Sequence, residues 1–442
     1  MEKKMSVGIL TLGCKVNQYE SEAIAEALIS KGFSIVPHSE VCDAYIINTC
    51  TVTAESDRKA RQMIRRMIGK NPAAYILVTG CYSQVSPEEV AAIDGVDYVS
   101  GSSNKMTVVD KLCALAEGGK KNESVEISVP DLDTSGFEEM SINRFDRTRA
   151  YVKIEDGCES KCAYCKIPDS RGPIRSKPFA EVIHEVKTLT DNGVREIVLT
   201  GIETGSYGRD LPEKESFASL LSAIDKIDGI GRVRTGSLDP TVIKPEFART
   251  VASLKSLCPH FHLSLQSGSS RILALMKRKY NADQAMACIE RLREAIPDVK
   301  LTTDVIVGFP GETEEDFEAT CDFVRKARFL MIHVFPYSKR KGTLAANMKG
   351  QIPEHIKHER VRILTEISRE IRSQILDEKI ADNAPVEVLF ETLRDGYAYG
   401  HTADFVEVKV KTEKKLHGLF RSVKLISHDG EMCDGVFCDE QV

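Results

Sequence analysis

The chain has 442 residues, of which 42% are hydrophobic and 29% charged, with a formal net charge of −6. That length suits about three domains and the hydrophobic share can fill packed cores, while no apolar run approaches the length of a membrane span. Mild overall acidity gives no general attraction to nucleic acid, so any such binding must come from local patches.

The N-terminal Met1-Glu2-Lys3-Lys4-Met5 leads straight into a strand-like segment, with no signal-peptide pattern. Thirteen cysteines, an odd number in a large chain, then argue for a reducing cytoplasmic setting rather than a disulfide framework. Residues 1–117 alternate strand and helix patterns. Buried strands are predicted at Val7–Leu12, Ala44–Ile47, Ala74–Val78 and Val96–Val99, with helices near Ser21–Lys31, Ala54–Gly69, Pro87–Asp94 and Asn104–Glu117. This is a doubly wound α/β domain, whose functional crevice lies beyond the carboxyl ends of the strands. Cys14, Cys50 and Cys81 follow the first three of those strands and should converge on one edge. A lone thiol there reads as a core residue, but three at equivalent strand ends read as a ligand set.

Residues 118–148 are polar and lack periodicity, including Lys120-Lys121-Asn122-Glu123, and read as a linker. A second α/β run occupies 149–382. Its strands are predicted near Tyr151–Ile154, Glu196–Thr200, Val233–Ser237, His262–Leu265, Leu301–Val307 and His333–Pro336, with helices between them and a long helix over His355–Asn383. Six strand–helix units make a (β/α)6 partial barrel with its site at the C-terminal strand ends. From residue 383 onward, short strands at Val386–Glu391, Tyr397–His401, Val406–Val410 and Lys415–Ile426 suggest a small β-barrel.

After the first barrel strand comes Cys158-Glu159-Ser160-Lys161-Cys162-Ala163-Tyr164-Cys165. A C-x2-C pair also suits structural zinc, but that needs a fourth ligand and the next candidates, His184 and Cys258, are remote. Fe–S cubanes usually take four thiolates. Three leave one iron open, able to chelate the amino and carboxylate groups of S-adenosylmethionine. The C-x3-C-x2-C spacing with Tyr164 before the third cysteine is the pattern of radical S-adenosylmethionine (SAM) enzymes.

The whole chain resembles the methylthiotransferase family, in the order N-terminal α/β domain, radical SAM barrel, C-terminal TRAM domain. The motifs are Gly13-Cys14-Lys15-Val16-Asn17-Gln18-Tyr19, Asn48-Thr49-Cys50-Thr51-Val52-Thr53, Thr79-Gly80-Cys81-Tyr82, His262-Leu263-Ser264-Leu265-Gln266-Ser267-Gly268 and Thr303-Asp304-Val305-Ile306-Val307-Gly308-Phe309-Pro310-Gly311. The resemblance implies two 4Fe-4S clusters: a radical-forming one on Cys158, Cys162 and Cys165, and an auxiliary one on Cys14, Cys50 and Cys81. It also implies two SAM per product, an electron donor such as flavodoxin, and a sulfur source. Cys14-Lys15-Val16-Asn17-Gln18, together with Phe335-Pro336-Tyr337-Ser338, resembles the branch acting on threonylcarbamoyladenosine beside the tRNA anticodon. The isopentenyladenosine branch tends to carry Gln-Met after the cysteine and the ribosomal-protein branch Pro-Lys.

Carbon 2 of adenine carries no acidic proton, so this reaction needs a radical rather than acid–base catalysis. Tyr164, Thr200, Gly201, Ser237, Asp239 and Gln266 are the expected cofactor contacts at the strand ends. For RNA, Arg58, Arg61 and Arg65 on one helix and His401, Phe405, Lys414 and Lys415 in the TRAM segment offer phosphate and stacking groups. Departures from the family pattern fall at Glu159, Asp169, Asp239 and Asp404, none of them a cluster ligand. A ribosomal-protein methylthiotransferase and a non-enzymatic Fe–S or RNA-binding protein remain the rival readings.

Overall fold

A computed structural model describes residues 4–118, 124–143, 148–213 and 215–438. The first domain is a six-stranded parallel sheet. Its spatial order runs Ser34–Val36, Ser6–Thr11, Ala44–Thr49, Tyr75–Gly80, Tyr98–Ser100, Glu126–Ser128. Ala44–Thr49 and the last five residues of Tyr75–Gly80 are buried, as central strands covered on both faces must be. Helices Lys15–Ser30 and Thr107–Gly118 pack on one side, and Ala54–Lys70 on the other. Thr53 caps Ala54–Lys70, its side chain accepting from Ser56 N.

Two expectations change here. The helix after the first strand starts at Lys15 rather than Ser21, so Cys14 is its N-cap. The segment expected to be a linker contributes the edge strand Glu126–Ser128, in register with Tyr98–Ser100. That strand is too short and exposed for a period-2 pattern to show. The charged run at Lys120–Glu123 lies outside the described residues.

The second domain keeps all six strands in parallel, but in two sheets. One is ordered Arg232–Thr235, Glu196–Thr200, Arg149–Lys153; the other runs Ser237–Leu238, His260–Gln266, Lys300–Val307, Met331–Pro336. The third strand breaks at Gly236, where a Cβ would lie 3.0 Å from both Leu199 O and Thr204 Cγ2. The helix Glu354–Ala381 buries Leu364, Ile367, Ile371, Ile375 and Leu376 against this domain.

The C-terminal segment is a closed five-stranded barrel, ordered Val386–Arg394, Tyr397–Thr402, Glu407–Lys411, Cys433–Phe437, Phe420–His428. Residues 415–419 form a turn, not the start of a strand, and Cys433–Phe437 is an unforeseen closing strand. Phe405, at φ 73°, stacks on His260 at 4.6 Å and on His401 at 5.2 Å. The Arg234 and Arg232 guanidinium groups lie over Phe405 at 4.9 Å and Phe420 at 4.7 Å. The small barrel is thus bonded to the base of the large one, opposite the strand ends.

Candidate functional site

Three of the first domain's five cysteines, Cys14, Cys50 and Cys81, meet at one sheet edge. Cys14 caps Lys15–Ser30, Cys50 directly follows Ala44–Thr49, and Cys81 opens the short helix Cys81–Val85. Gly13 lies so close that a Cβ on it would sit 2.8 Å from Cys50 Cβ. Burial and neighbouring thiols push Cys50 up to about 11; burial also raises Cys14, despite the nearby Arg171 charge. Sulfurs whose ionisation is opposed by burial suit a bound cation, which would convert them to thiolates.

Beside them lies a buried charge cluster contributed by both large domains. Arg171 donates through Nε to Cys81 Sγ at 3.1 Å, and through its other nitrogens to Glu20 at 2.6 Å, Asp156 at 3.0 Å and Asn17 at 2.5 Å. Lys105 and Lys153 also reach Glu20, at 2.5 and 2.8 Å, and Lys153 reaches Asp156 at 2.6 Å. Burial alone would raise Glu20, but these cations hold its carboxyl well below the usual carboxylate range. Three cations against two carboxylates leave positive charge facing the sulfurs.

The second triplet sits in the loop after the first barrel strand. Gly157 takes φ 87°, where a Cβ would lie 1.9 Å from Pro173 O, so only glycine fits. Backbone N–H groups of Ser160 and Ile167 point at Cys158 and Cys165 sulfurs at 3.4 Å, and Arg278 Nη1 reaches Cys162 Sγ at 3.3 Å. Burial raises Cys158 and pushes Cys165 up to about 11. Donors aimed at sulfur support thiolates and tune a cluster's potential, so this donor set fits an Fe–S group.

The expected cofactor contacts are distributed around this loop. Thr200 is buried at a strand end, and a Cβ on Gly201 would come 2.6 Å from Glu155 Oε2. Glu155 is buried, its Oε1 has no partner among the described residues, and burial raises its carboxyl well above the usual range. The oxygen nearest Gly201, Oε2, already accepts from Glu203 N at 2.8 Å, which leaves Oε1 for a ligand donor such as an ammonium group. Asp239 is committed elsewhere, accepting from Thr241 at 2.6 Å and from Arg278 at 2.6 Å. The Ser237 carbonyl accepts from Thr204. Gln266 holds φ 73° at the end of its strand, a strained state typical of sites.

Between the triplets lies a cavity of about 250 Å³. Val52 and Thr53, just beyond Cys50, line one side; Tyr164, Cys165, Gln266, Asp304 and Phe335 line the other. Val52 is 56% and Phe335 46% exposed, large apolar surfaces at its mouth. Arg340 closes the domain contact, 2.7 Å from Asp57 and 2.7 Å from Thr51 Oγ1. Larger hollows of about 500, 560 and 460 Å³ contain none of the six cysteines.

The residues expected to touch RNA divide into two groups. Arg65, Lys414 and Lys415 are exposed. Arg58 is tied to Glu55, and Arg61 donates to Tyr82 Oη at 2.8 Å. His401 and Phe405 are half-buried: His401 Nδ1 is 2.7 Å from Glu391, and both rings are stacked in the seam against the large barrel. Asp404, a departure from the family pattern, bonds Lys379 at 2.6 Å across that seam. Sequence reading did not foresee Glu20, Asn17, Arg171, Glu203 and Arg278 as neighbours of the sulfurs. Asn17, three residues beyond Cys14, and Glu203, three beyond Thr200, lay close in sequence to expected site residues; Glu203 Oε2 is 3.1 Å from Cys158 Sγ.

A cysteine triplet in the loop after the first strand of a parallel partial barrel, with a second triplet at the strand ends of the first domain, marks a radical SAM enzyme. Residues 152–324 match the Radical SAM superfamily, and residues 6–101 match a family described as Uncharacterized protein family UPF0004. A Threonylcarbamoyladenosine tRNA methylthiotransferase MtaB of Bacillus subtilis is 38% identical, covering 98% of this chain and 96% of its own. The protein of that name from Thermotoga maritima is 40% identical over 83% of this chain and 82% of its own. A tRNA-2-methylthio-N(6)-dimethylallyladenosine synthase of Aquifex aeolicus is 36% identical over 96% of this chain and 98% of its own. Among solved structures, the radical SAM methyltransferase TsrM of Kitasatospora setae shares the fold, with TM-score 0.57 at 14% identity, covering 78% of this chain and 77% of that one. The chain belongs to the radical SAM tRNA methylthiotransferase family.

Proposed function

We propose that this enzyme places a methylthio group on carbon 2 of N6-threonylcarbamoyladenosine beside the anticodon of tRNA, with two 4Fe-4S clusters and two SAM per product. The observation that carries the reading is the cavity between the triplets. It is lined by Val52 and Thr53, which follow Cys50, and by Cys165 itself. When bound, the clusters and SAM supply the hydrogen-abstracting radical, the sulfur and the methyl group. Cys158, Cys162 and Cys165 would hold the radical-forming cluster, and Cys14, Cys50 and Cys81 the auxiliary one.

The chain's own residues bind, orient and keep water away. Val52 and Phe335 offer apolar faces on which an unstacked adenine can rest, worth about 1–3 kcal/mol per base. Glu155 can receive the cofactor ammonium beside Gly201, while Arg278 fixes Asp239 and supports the Cys162 sulfur. Arg171 holds the Cys81 sulfur against the second domain, so the two triplets keep a fixed separation. Exposed Arg65, Lys414 and Lys415 would meet phosphates, and an electron donor such as flavodoxin and a separate sulfur source complete the requirements. The test is anaerobic incubation of reconstituted enzyme, SAM, reductant, sulfide and threonylcarbamoylated tRNA. The expected product is 2-methylthio-N6-threonylcarbamoyladenosine by nucleoside mass spectrometry; exclusive reaction at isopentenyladenosine would assign the sister branch.

A further inference from the structure

Asp304, on the strand Lys300–Val307, is the sole carboxylate among the residues lining the cavity between the triplets. Its Oδ2 lies 3.2 Å from His262 Nε2, and among the described residues no hydrogen bond or ion pair engages its Oδ1. Behind His262 the contacts continue into the barrel. His262 Nδ1 is 2.9 Å from Thr302 Oγ1, which is 3.1 Å from His260 Nε2. His260 and His262 share one face of their strand, Thr302 and Asp304 the matching face of the next, with His262 opposite Thr302 in register.

The direction of this chain follows from counting protons, since Thr302 has a single hydroxyl hydrogen. In one arrangement His260 donates to Thr302, Thr302 to His262, and His262 Nε2–H to Asp304. In the other His262 donates through Nδ1 and Thr302 donates to His260 Nε2, so the proton of a neutral His260 sits on Nδ1. His260 is buried, and burial together with Arg234 lowers it well below 6.5, so it is neutral. Its Nδ1 has no partner among the described residues. A stranded buried N–H is costlier than a stranded lone pair, which selects the first arrangement. His262 thus donates to Asp304 Oδ2 and holds the carboxylate so that Oδ1 is left to the cavity.

We propose that Asp304 grips the adenine ring of the substrate by accepting its N6–H on Oδ1, with His262, Thr302 and His260 as the positioning chain behind the carboxylate. This rests on the adenine reading above and deepens it, and it holds for any adenosine with a single N6 substituent. A carboxylate only accepts, so it turns away the ring nitrogens N1, N3 and N7 and any terminal carboxylate. The cavity's volume of about 250 Å³ is below the roughly 300–1,000 Å³ usual for a whole ligand, which suits a base and the first atoms of its substituent. In threonylcarbamoyladenine the ureido N–H closes onto N1 and turns the N6–H toward N7, away from carbon 2. Holding that edge, as proteins hold unstacked bases, leaves carbon 2 free on the other side of the ring.

The experiment uses anticodon stem-loops carrying threonylcarbamoyladenosine, its N6-methyl form, which has no N6–H, and the 2-aminobutyryl analogue, which lacks only the hydroxyl. Binding is read by fluorescence anisotropy on reconstituted enzyme without reductant, with iron content measured. In Asp304→Asn, His262 keeps the amide oxygen and an NH2 group faces the base. The variant should bind the threonylcarbamoyl and 2-aminobutyryl forms about tenfold more weakly than the parent does, the effect of one charge-assisted hydrogen bond, and the N6-methyl form no more weakly. Asp304→Ala should give the same pattern. Adding His262→Leu to Asp304→Asn frees the amide to turn its oxygen toward the base and should recover part of the affinity, whereas a merely structural histidine would add a loss. Equal weakening for the N6-methyl form, or no recovery in the double variant, would overturn the proposal. So would weakening absent from the 2-aminobutyryl form, which would assign Oδ1 to the hydroxyl. Stoichiometric cobalt(II) binding lost in Asp304→Asn would also overturn it, assigning Asp304 with His262 and His333 to a cation. Failure of the parent to bind any of the three RNAs would instead overturn the adenine reading on which it stands.

Discussion

Replacing Arg171 with methionine keeps most of the side-chain volume but removes a charge that is fully buried between the two large domains. The variant loses donors to Glu20, Asp156, Asn17 and Cys81 together. Breaking a buried ion pair from one side costs about 3–5 kcal/mol because the partner charge stays buried. Here Lys105 and Lys153 still neutralise Glu20, and Lys153 still reaches Asp156, so about 3 kcal/mol is expected. If the second domain unfolds as a cooperative unit of about 150–250 residues, that is a fall in Tm of roughly 6–12 °C. Calorimetry on protein without reconstituted iron isolates this effect from cluster loss. The pairing account also requires Glu20→Gln to recover part of the loss when combined with Arg171→Met, since it removes one stranded charge. A single variant within about 1 kcal/mol of the parent, or strictly additive losses in the double variant, would refute the reasoning.

Changing Cys158, Cys162 and Cys165 to alanine should leave about four irons of about eight and abolish reductive SAM cleavage; persistence of 5′-deoxyadenosine formation would move the radical site elsewhere. The corresponding change at Cys14, Cys50 and Cys81 should preserve that cleavage and eliminate methylthio transfer, and a variant still forming the methylthiolated nucleoside would remove the auxiliary cluster from the account. A pH effect belongs to the seam below the large barrel. Burial works against protonated His401, but hydrogen bonds to Glu391 and Glu407 prevail and raise it above its ordinary 6.5; burial likewise works against ionised Glu391, and His401 and Arg149 hold it below 4.5. The raised histidine stabilises below pH 6.5 and loses that contribution as pH rises through its folded value. The lowered carboxylate stabilises above pH 4.5 and loses it on acidification, so the pair contributes fully between those limits. His401→Gln should flatten the alkaline slope of Tm against pH, and an identical slope in the variant would show that the pair does not couple the barrels.

Both α/β domains were legible because their strands are continuous buried runs separated by helical periodicity. The cysteine placement was legible because parallel sheets put function at strand ends. Glu126–Ser128 was not, being three half-exposed residues whose only reason to extend is a free sheet edge. Residues 415–419 read as strand from their apolar content, yet Leu416 is buried from within a turn. Two expected RNA contacts lie in the seam between the barrels. His401 and Phe405 have the right chemistry for a base, but the same flat rings also suit His260 and Arg234, and sequence carries no sign of which surface is covered. Arg171 and Glu20 are 151 residues apart, so their pairing is written only in three dimensions.

The central claim, that the cavity between the two cysteine triplets takes threonylcarbamoyladenosine, is tested most directly by nucleoside mass spectrometry of tRNA from cells with and without this protein. Loss of 2-methylthio-N6-threonylcarbamoyladenosine, accumulation of the unthiolated nucleoside and unchanged 2-methylthio-isopentenyladenosine are the predicted result. Intact 2-methylthio-N6-threonylcarbamoyladenosine in cells lacking the protein, with loss confined to the isopentenyl nucleoside or to a modified ribosomal protein, would contradict it.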